Sequence, residues 1–120
     1  MIIYDRLRVI DGDTIEIRLW PSNEFVVLRI EELDTDEKDT ARGVKQTRIL
    51  ERFAMALLGP YIRVRKDRIR RGKTAGWRYK RCRNGRLICA VYVWHRWRYV
   101  NYAAYMKRKR WVKRGSKWND

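Results

Sequence analysis

An Asp-Gly pair between two alternating runs of apolar and polar residues is the feature that most limits how this chain can fold. Asp11-Gly12 suits the tight turn of a β-hairpin, because glycine reaches positive φ angles without a steric cost. Residues 21–23 (PSN) provide a second turn after the hairpin. The chain is therefore predicted to open with a three-stranded meander, whose strands cover residues 3–10, 13–20 and 25–33.

The sequence pattern changes after the third predicted strand. Apolar residues between 44 and 58 recur at helical spacing, and Gly59-Pro60 ends that pattern. These apolar residues, Leu57 and Leu58 included, are expected to face the core. The remaining predicted elements are a polar loop at 34–42, strands at 61–65 and 87–94, an exposed arm or extended hairpin at 66–84, and a short helix that begins near residue 100 and ends in the basic run 107–110.

This order of elements predicts the fold class. Five short strands with one helix after the third describe a small closed barrel. We predict a single α+β (mainly β) domain over residues 1–120, a five-stranded OB-type barrel with a helix after strand three and a short C-terminal helix. Residues 111–120 show no clear pattern.

The chain carries a net charge of +16 in 120 residues, and this charge is divided unevenly. Residues 1–62 contain 9 basic and 12 acidic residues, whereas residues 63–120 contain 21 basic and 2 acidic residues. The cationic half favours a polyanion such as DNA or RNA as partner, and the acidic half could hold a divalent cation. A solvated basic face without a specific partner is the alternative.

Several classes of protein do not fit the sequence. No apolar run approaches the roughly 20 residues of a membrane span, and a charge follows too soon after the N-terminus for a signal peptide. We therefore expect an intracellular protein with no membrane contact, unless a signal has been removed, and no motif identifies a protein partner. Cys82 and Cys89 are too few for a disulfide framework or a four-ligand zinc site, so buried free thiols are expected, with a cross-strand bridge as the alternative. The lone His95 does not by itself indicate catalysis, and its neighbours Trp94 and Trp97 are predicted to pack.

Acidic residues are concentrated at two points of the predicted meander. If the fold brings these points together, the carboxylates form the oxygen-rich site that hard divalent cations prefer. Arg29, within an apolar strand, and Arg86, at the start of another, each need a compensating carboxylate or phosphate near the core. Taken alone, each acidic group is also typical of an ordinary turn or a solvated loop. The acids are Asp11 and Asp13 at the hairpin tip, and Asp34, Asp36 and Glu37 beyond the third strand.

Four segments of the sequence resemble motifs of one enzyme family. Residues 9–15 (VIDGDTI) are similar to the opening motif of the staphylococcal-nuclease-like (thermonuclease) family, and residues 29–37 (RIEELDTDE) to its arginine strand and the acids that follow. Residues 84–87 (NGRL) are similar to its later glycine–arginine turn, and residues 100–104 (VNYAA) to the start of its second helix. The four segments occur in the family's order with similar spacing.

The resemblance implies a fold, a cofactor and a set of roles. It implies an OB barrel with helices, calcium as the metal, with Mg²⁺ or Mn²⁺ as alternatives, and cleavage of DNA or RNA that leaves 3′-phosphate ends. Asp11 would have a structural role in the turn. The implied metal ligands are Asp13, Asp34 and the backbone carbonyl of Thr35; the implied catalytic residues are Glu37, as general base on water, and Arg29 and Arg86, on the scissile phosphate.

Elementary chemistry supports these roles independently. A phosphodiester gains negative charge towards its transition state, and arginine forks aimed at the non-bridging oxygens stabilise that charge. A carboxylate that removes a proton from water contributes roughly 10²–10⁴-fold to the rate. A metal-dependent endonuclease with little sequence specificity is therefore the main hypothesis. The alternatives are a non-catalytic nucleic-acid-binding module on the same fold and a basic protein that packs nucleic acid.

The chain departs from the family pattern at several positions. Asp36 replaces the proline before the catalytic glutamate, which predicts either a looser loop or an additional metal ligand. Glu32 replaces an apolar or small residue and could add an acid near the metal. Cys82 and Asn84 stand where an aspartate and a tyrosine are expected, so a packing contact to base or sugar is lost. The family's third helix is missing or reduced to residues 111–118.

The predicted basic arm is also longer than in the family. Residues 63–86 contain 12 basic residues and one acid, Asp67. Cations contact phosphates and aromatic rings stack on unpaired bases, so the arm is predicted to bind nucleic acid, with aromatic cover of the barrel edge as the alternative. A phosphate-contact role is also predicted for residues 107–110. The predicted contact residues of the arm are Trp77, Arg78, Tyr79, Lys80, Arg81 and Arg83.

Overall fold

The computed structural model describes residues 3–71 and 74–116, and between residues 67 and 77 its description is restricted to the backbone. No helix in these ranges is long and apolar enough to cross a membrane. The elements in chain order are β1 (Tyr4–Asp11), β2 (Thr14–Leu19), β3 (Phe25–Ile30), α1 (Ala41–Ala54), β4 (Tyr61–Val64), β5 (Lys66–Arg71), β6 (Thr74–Tyr79), β7 (Leu87–His95), β8 (Arg98–Asn101) and α2 (Tyr102–Arg108).

Six of the strands form one mixed sheet that curls into a half-barrel. β1, β2 and β3 form the predicted antiparallel meander, and β3 then pairs in parallel with β7, with Leu28 opposite Leu87. β7 is the central strand because three strands pair with it. Cys89 lies opposite residues of both β3 and β4, while Tyr92 lies opposite residues of both β4 and β8. β4 therefore occupies one edge of β7, and β3 and β8 share the other.

The core fills the inside of this curl and is closed by the two helices. The alternation of β2 places Ile15 and Ile17 in the core with no exposed surface. α1 contributes Leu50 to the same cluster, and α2 contributes Tyr102 and Met106. Because β2 runs antiparallel to β3, with Thr14 opposite Arg29, the hairpin tip and the end of β3 lie at the same end of the sheet.

α1 differs from the predicted helix at both ends. It begins at Ala41, rather than at residue 44, because the side chain of Thr40 caps the helix. It ends at Ala54, and the helical spacing no longer applies to the residues that follow. Leu57 is completely exposed and Leu58 is 45% exposed, so the prediction that both face the core is wrong.

The sheet corrects several other predictions. The sequence predicts five strands and a closed barrel, whereas the structure has eight strands, and in the described ranges β1 and β4 do not pair to close the sheet. β8 was missed because its four residues lie where the sequence predicts the start of a helix. The third strand ends at Ile30 rather than at residue 33, since Glu32 turns with a φ of 56°.

The tryptophans and the cysteines, for which the sequence predicts packing and free thiols respectively, can be compared with the structure. Trp94 packs edge-on against Tyr99 with ring centroids 5.2 Å apart, whereas Trp97 is 89% exposed, so the prediction that it packs is wrong. A local pattern of residues does not determine which side chains of a hairpin turn are exposed. Cys82 and Cys89 are both free, and burial raises the pKa of the Cys89 thiol to about 12.

β5 and β6 form a separate two-stranded antiparallel sheet within the basic arm. This arrangement matches the extended hairpin that is one of the two predictions for residues 66–84. The hairpin joins the main sheet through the backbone of Lys80, which donates to the carbonyl of Arg65 at 2.9 Å and accepts from the amide of Ile88 at 3.0 Å. The basic hairpin is therefore an appendage of β4 and β7.

Candidate active site

A cavity of about 680 Å³ opens at the end of the sheet where the β1–β2 turn meets the loop after β3. It gathers all six residues that the sequence predicts for catalysis and metal binding. Four residues of the segment after α2 complete its wall. The lining residues are Asp11, Asp13, Thr14, Arg29, Asp34, Thr35, Asp36, Glu37, Arg86, Lys113, Arg114, Gly115 and Ser116.

Arg29 connects the two groups of acids. Its Nη2 lies 2.5 Å from Oδ1 of Asp34 and 3.4 Å from Oδ2 of Asp13, while its Nη1 donates to the carbonyl of Ile30 at 2.9 Å. The side chains of Arg29 and Asp13 are only 19% and 12% exposed. A guanidinium so far from water needs compensating charge, and the two carboxylates provide it.

Asp13 is held in place by the turn and by the loop after β3. Its Oδ1 accepts from the hydroxyl of Thr14 at 2.9 Å, and its Oδ2 accepts from the amide of Thr35 at 2.9 Å. Asp11 has the turn role that the resemblance implies, because its Oδ1 accepts from the amide of Asp13 at 3.0 Å. Below the turn, the buried hydroxyl of Tyr102 donates to the carbonyl of Gly12 at 2.9 Å. The burial of Asp13 raises the pKa of its carboxyl.

Arg86 enters the cavity from the start of β7. Its Nη1 donates weakly to the hydroxyl of Thr14 at 3.4 Å, and its Nε is buried with no hydrogen-bond partner in the described part of the chain. The hydroxyl of Thr35 is likewise buried and unpaired there. Buried polar atoms without a hydrogen-bond partner cost free energy and are uncommon in folded proteins. Two of them beside one polar cavity indicate a site where a bound ligand provides the missing hydrogen-bond partners.

Glu37 lies on an exposed part of the cavity rim. Its backbone carbonyl accepts hydrogen bonds from the amide of Thr40 at 3.0 Å and from the hydroxyl of Thr40 at 2.7 Å. Among the described residues, no hydrogen bond or ion pair engages its carboxylate. The backbone of Glu37 is thus fixed, while its carboxylate can reach a water in the cavity.

Two residues of α1 that the sequence analysis missed hold the acid-bearing loop, which covers residues 34–40. Gln46 is fully buried; its Oε1 accepts from the amide of Asp36 at 2.7 Å and its Nε2 donates to the carbonyl of Trp111 at 3.3 Å. Gly43 lies so close to the loop that an added Cβ would stand 1.8 Å from the carbonyl oxygen of Glu37. No local pattern in the sequence marks either residue, because both act through contacts with segments outside α1.

The departures at residues 32 and 36 have different outcomes. The carboxylate of Asp36 lies 3.5 Å from Nε of Arg42, and its amide is held by Gln46, so the loop is not loose. Asp36 lines the main cavity together with Asp13 and Asp34, and its role as an additional metal ligand stays a prediction. Glu32 lines a neighbouring cavity of about 440 Å³ rather than the one that contains Asp13.

The segment after α2 closes one side of the cavity. The amide of Lys113 donates to the carbonyl of Asp34 at 2.9 Å, and the hydroxyl of Ser116 lies 2.5 Å from Oδ2 of Asp34. The guanidinium of Arg42 lies 4.9 Å above the ring of Trp111 and anchors the start of this segment to α1. The reduced third helix predicted for residues 111–118 is not formed through residue 116. The positive charge of Lys113 and Arg114 is the sequence feature that could have indicated a role for this segment in the cavity.

The predicted nucleic-acid contacts of the basic arm do not lie in the main cavity. Arg78, Tyr79 and Lys80 are exposed on and just after β6, and Lys80 lines the neighbouring cavity. The ammonium of Lys66 lies 5.5 Å from the ring centroid of Tyr79. Arg81 and Arg83 are exposed in the turn before β7, and the side chain of Trp77 lies outside the described residues.

The buried Gln46 allows a direct test of this arrangement. Replacement by leucine leaves the amide of Asp36 and the carbonyl of Trp111 without partners, which is expected to cost about 2–4 kcal/mol of unfolding free energy. Replacement by glutamate keeps the acceptor for Asp36 but buries a carboxyl group against the carbonyl of Trp111, so this variant is also expected to lose stability. Urea unfolding measures both variants; equal stability of the leucine variant and the unmodified chain would contradict the bridging role.

The donor set fits a hard divalent cation by its chemistry. Asp13 and Asp34 offer carboxylate oxygens, and Thr35 lines the same cavity, so that its carbonyl could be a further ligand. A positive charge near Asp13 would offset the effect of its burial and favour its ionised form. No three His, Cys, Asp or Glu side chains form a ready metal cluster in the ranges that the structure describes. A bound ion would therefore need the carbonyl and water as further ligands.

Neither a scan against protein-family models nor a search of curated proteins found a significant match to this chain. The functional interpretation therefore depends on the geometry of the cavity and on the sequence motifs that form it.

Proposed function

We propose that this protein is a metal-dependent endonuclease similar to the staphylococcal-nuclease-like family, and that its half-barrel is a variant of the OB-type barrel. It would hydrolyse phosphodiester bonds of DNA or RNA with little sequence specificity. The observation that supports this proposal most is the convergence of two carboxylates, a free carboxylate and two arginines on one cavity. The two carboxylates are those of Asp13 and Asp34, the free one is that of Glu37, and the arginines are Arg29 and Arg86.

The residues divide the reaction between them. Glu37 takes a proton from a water molecule, whose oxygen then attacks phosphorus while the bond from phosphorus to the leaving oxygen breaks. Arg29 and Arg86 donate to the non-bridging oxygens, where negative charge increases in the transition state. The unpaired Nε of Arg86 provides one such donor. Asp13, Asp34 and the carbonyl of Thr35 would hold Ca²⁺, or Mg²⁺ or Mn²⁺, which supplies positive charge near the phosphate.

A second candidate function has one observation in its favour. Both carboxylate oxygens of Asp34 are engaged within the protein, one by Arg29 and the other by Ser116. If these contacts persist when nucleic acid binds, Asp34 cannot serve as a metal ligand. The chain would then be a non-catalytic nucleic-acid-binding module on the same fold.

A cleavage assay distinguishes these two functions. The purified protein is incubated with supercoiled plasmid, single-stranded DNA or RNA, in the presence of Ca²⁺, Mg²⁺, Mn²⁺ or a chelator. The enzyme is expected to cut with at least one metal, to stop when the metal is chelated, and to leave 3′-phosphate ends. Binding of DNA without cleavage under any of these metals would favour the binding module instead.

A further inference from the structure

A second concentration of positive charge lies at the opposite end of β7 from Arg86. Four exposed basic residues, which we name the basic corner, surround a small cavity of about 180 Å³. The corner is formed by the β7–β8 turn and by the C-terminal end of α2, and His95 and Val100 form the remaining wall. Its members are Arg96, Arg98, Arg108 and Lys109.

In the part of the chain that the structure describes, no acidic side chain balances the charge of the basic corner. No acidic residue lines its cavity, and none of the salt bridges among the described residues includes any of its four members. Burial, the largest cause, and the four cations lower the pKa of His95. Cations held this close repel one another, so a multiply charged anion is the ligand that their arrangement favours.

The β7–β8 turn adds an exposed aromatic ring beside these charges. His95 pairs with Arg98, so the turn has only two central residues, Arg96 and Trp97. Their φ angles of 49° and 70° lie in the left-handed region, where Asn-Gly is the usual pair. The left-handed backbone conformation of a tryptophan costs about 1–2 kcal/mol of conformational free energy. The ring of Trp97 is 89% exposed, so packing against the protein does not offset this cost.

The basic corner lies close to the candidate active site along the chain. Lys109, in the corner, is four positions before Lys113, which lines the main cavity. The Cα atoms of these two residues are therefore at most about 14 Å apart. The far walls of the two cavities are more widely separated, because Arg86 and Arg96 lie at opposite ends of β7.

We propose that the basic corner and Trp97 form a second binding site, for a single-stranded polynucleotide. The corner contacts phosphates, and the indole of Trp97 stacks on an unpaired base, which a duplex would not offer. Binding at the corner is independent of the proposed function. Passage of the same strand through the main cavity, in contrast, rests on the proposed function. The substrate would therefore be a strand long enough to extend from the scissile phosphate to the basic corner.

The Trp97→Gly variant tests the stacking contact without harming the fold, because glycine favours the left-handed conformation of the turn. Binding of fluorescein-labelled oligo(dT) of 4 and 16 nucleotides is measured by fluorescence anisotropy with chelator present, so that cleavage plays no part. The variant is expected to bind the 16-mer about 5- to 100-fold more weakly with an unchanged Tm. Unchanged affinity for the 16-mer would overturn the stacking contact.

A matched pair of charge variants tests the basic corner. Arg98→Gln/Arg108→Gln/Lys109→Gln removes three corner charges and should reduce the slope of log affinity against log salt by about 2. The control removes three exposed charges elsewhere, on β1 and α1, and should leave the slope nearly unchanged. Equal reductions in both variants would mean that only net charge matters. The control variant is Arg6→Gln/Lys45→Gln/Arg48→Gln.

Two further outcomes separate this proposal from its competitors. If the corner variant loses binding to phosphatidylserine vesicles and keeps its affinity for oligo(dT), the surface binds membranes and the proposal is wrong. If oligo(dT) binding depends on Trp97 but no metal supports cleavage, the second site stands and only the proposed nuclease activity fails.

Discussion

Replacing Glu37 by glutamine is expected to lower the rate of nucleic-acid cleavage about 10²–10⁴-fold while leaving binding nearly unchanged. The substitution keeps the size of the side chain but removes the group that accepts the proton of water. Among the described residues the carboxylate of Glu37 has no structural partner, so its loss should not disturb the fold. Single-turnover cleavage of a labelled oligonucleotide measures the chemical step directly, and anisotropy measures binding on the same sample.

The matched control for this variant is Glu24→Gln, the same chemical change on an exposed turn outside the cavity. It should cleave at the rate of the unmodified protein. A Glu37→Gln variant with full activity would show that another group accepts the proton, and the assignment of Glu37 as general base would be wrong. The Glu37→Gln variant, purified in parallel, is also a control for the metal-dependence assay, because cleavage that it retains at the full rate can come from a contaminating nuclease.

Replacing Gly43 by alanine is expected to reduce both stability and activity, although it adds a single methyl group. The new Cβ would stand 1.8 Å from the carbonyl oxygen of Glu37 and 2.6 Å from its carbonyl carbon, which are backbone atoms with little freedom to move. The loop must shift by more than 1 Å, and a displacement of that size can reduce catalysis about 10²-fold. Overpacking of this kind costs about 1–3 kcal/mol of unfolding free energy, despite the better helix propensity of alanine.

Gly59→Ala is the control for this substitution. The only atom near an added Cβ at residue 59 is the hydroxyl of Tyr4, at 4.0 Å, so stability and cleavage should both be preserved. Urea unfolding and the cleavage rate are measured for both variants. If Gly43→Ala proves as stable and as active as Gly59→Ala, the close contact between α1 and the acid-bearing loop does not exist in solution.

The parts of the fold that the sequence predicted correctly depend on local patterns. Asp11-Gly12 predicted the β1–β2 hairpin because the turn preference is contained in two adjacent residues. The sequence also predicted the first helix from its apolar pattern. The start of this helix was missed, because capping by Thr40 depends on one side chain rather than on the apolar pattern. β8 escaped prediction because its four residues show no apolar alternation.

The parts of the site that the sequence missed depend on contacts between distant residues. The two acidic groups and the two arginines could be named because each belongs to a short motif. The closing segment could not, since the contact between Ser116 and Asp34 joins residues 82 positions apart. Gln46 presented the same difficulty: its two partners lie 10 and 65 residues away, and no local pattern distinguishes a bridging glutamine from a solvated one.

The parallel pairing of β3 with β7 has a consequence for when the candidate active site forms. Arg29 and Arg86 adjoin the paired residues Leu28 and Leu87, yet 57 positions of sequence separate the two arginines. Contacts between such distant segments form slowly during folding, after the local hairpins. The two arginines therefore come to line one cavity only when the long-range register is complete, so a partly folded chain has a cationic surface before it has the candidate active site.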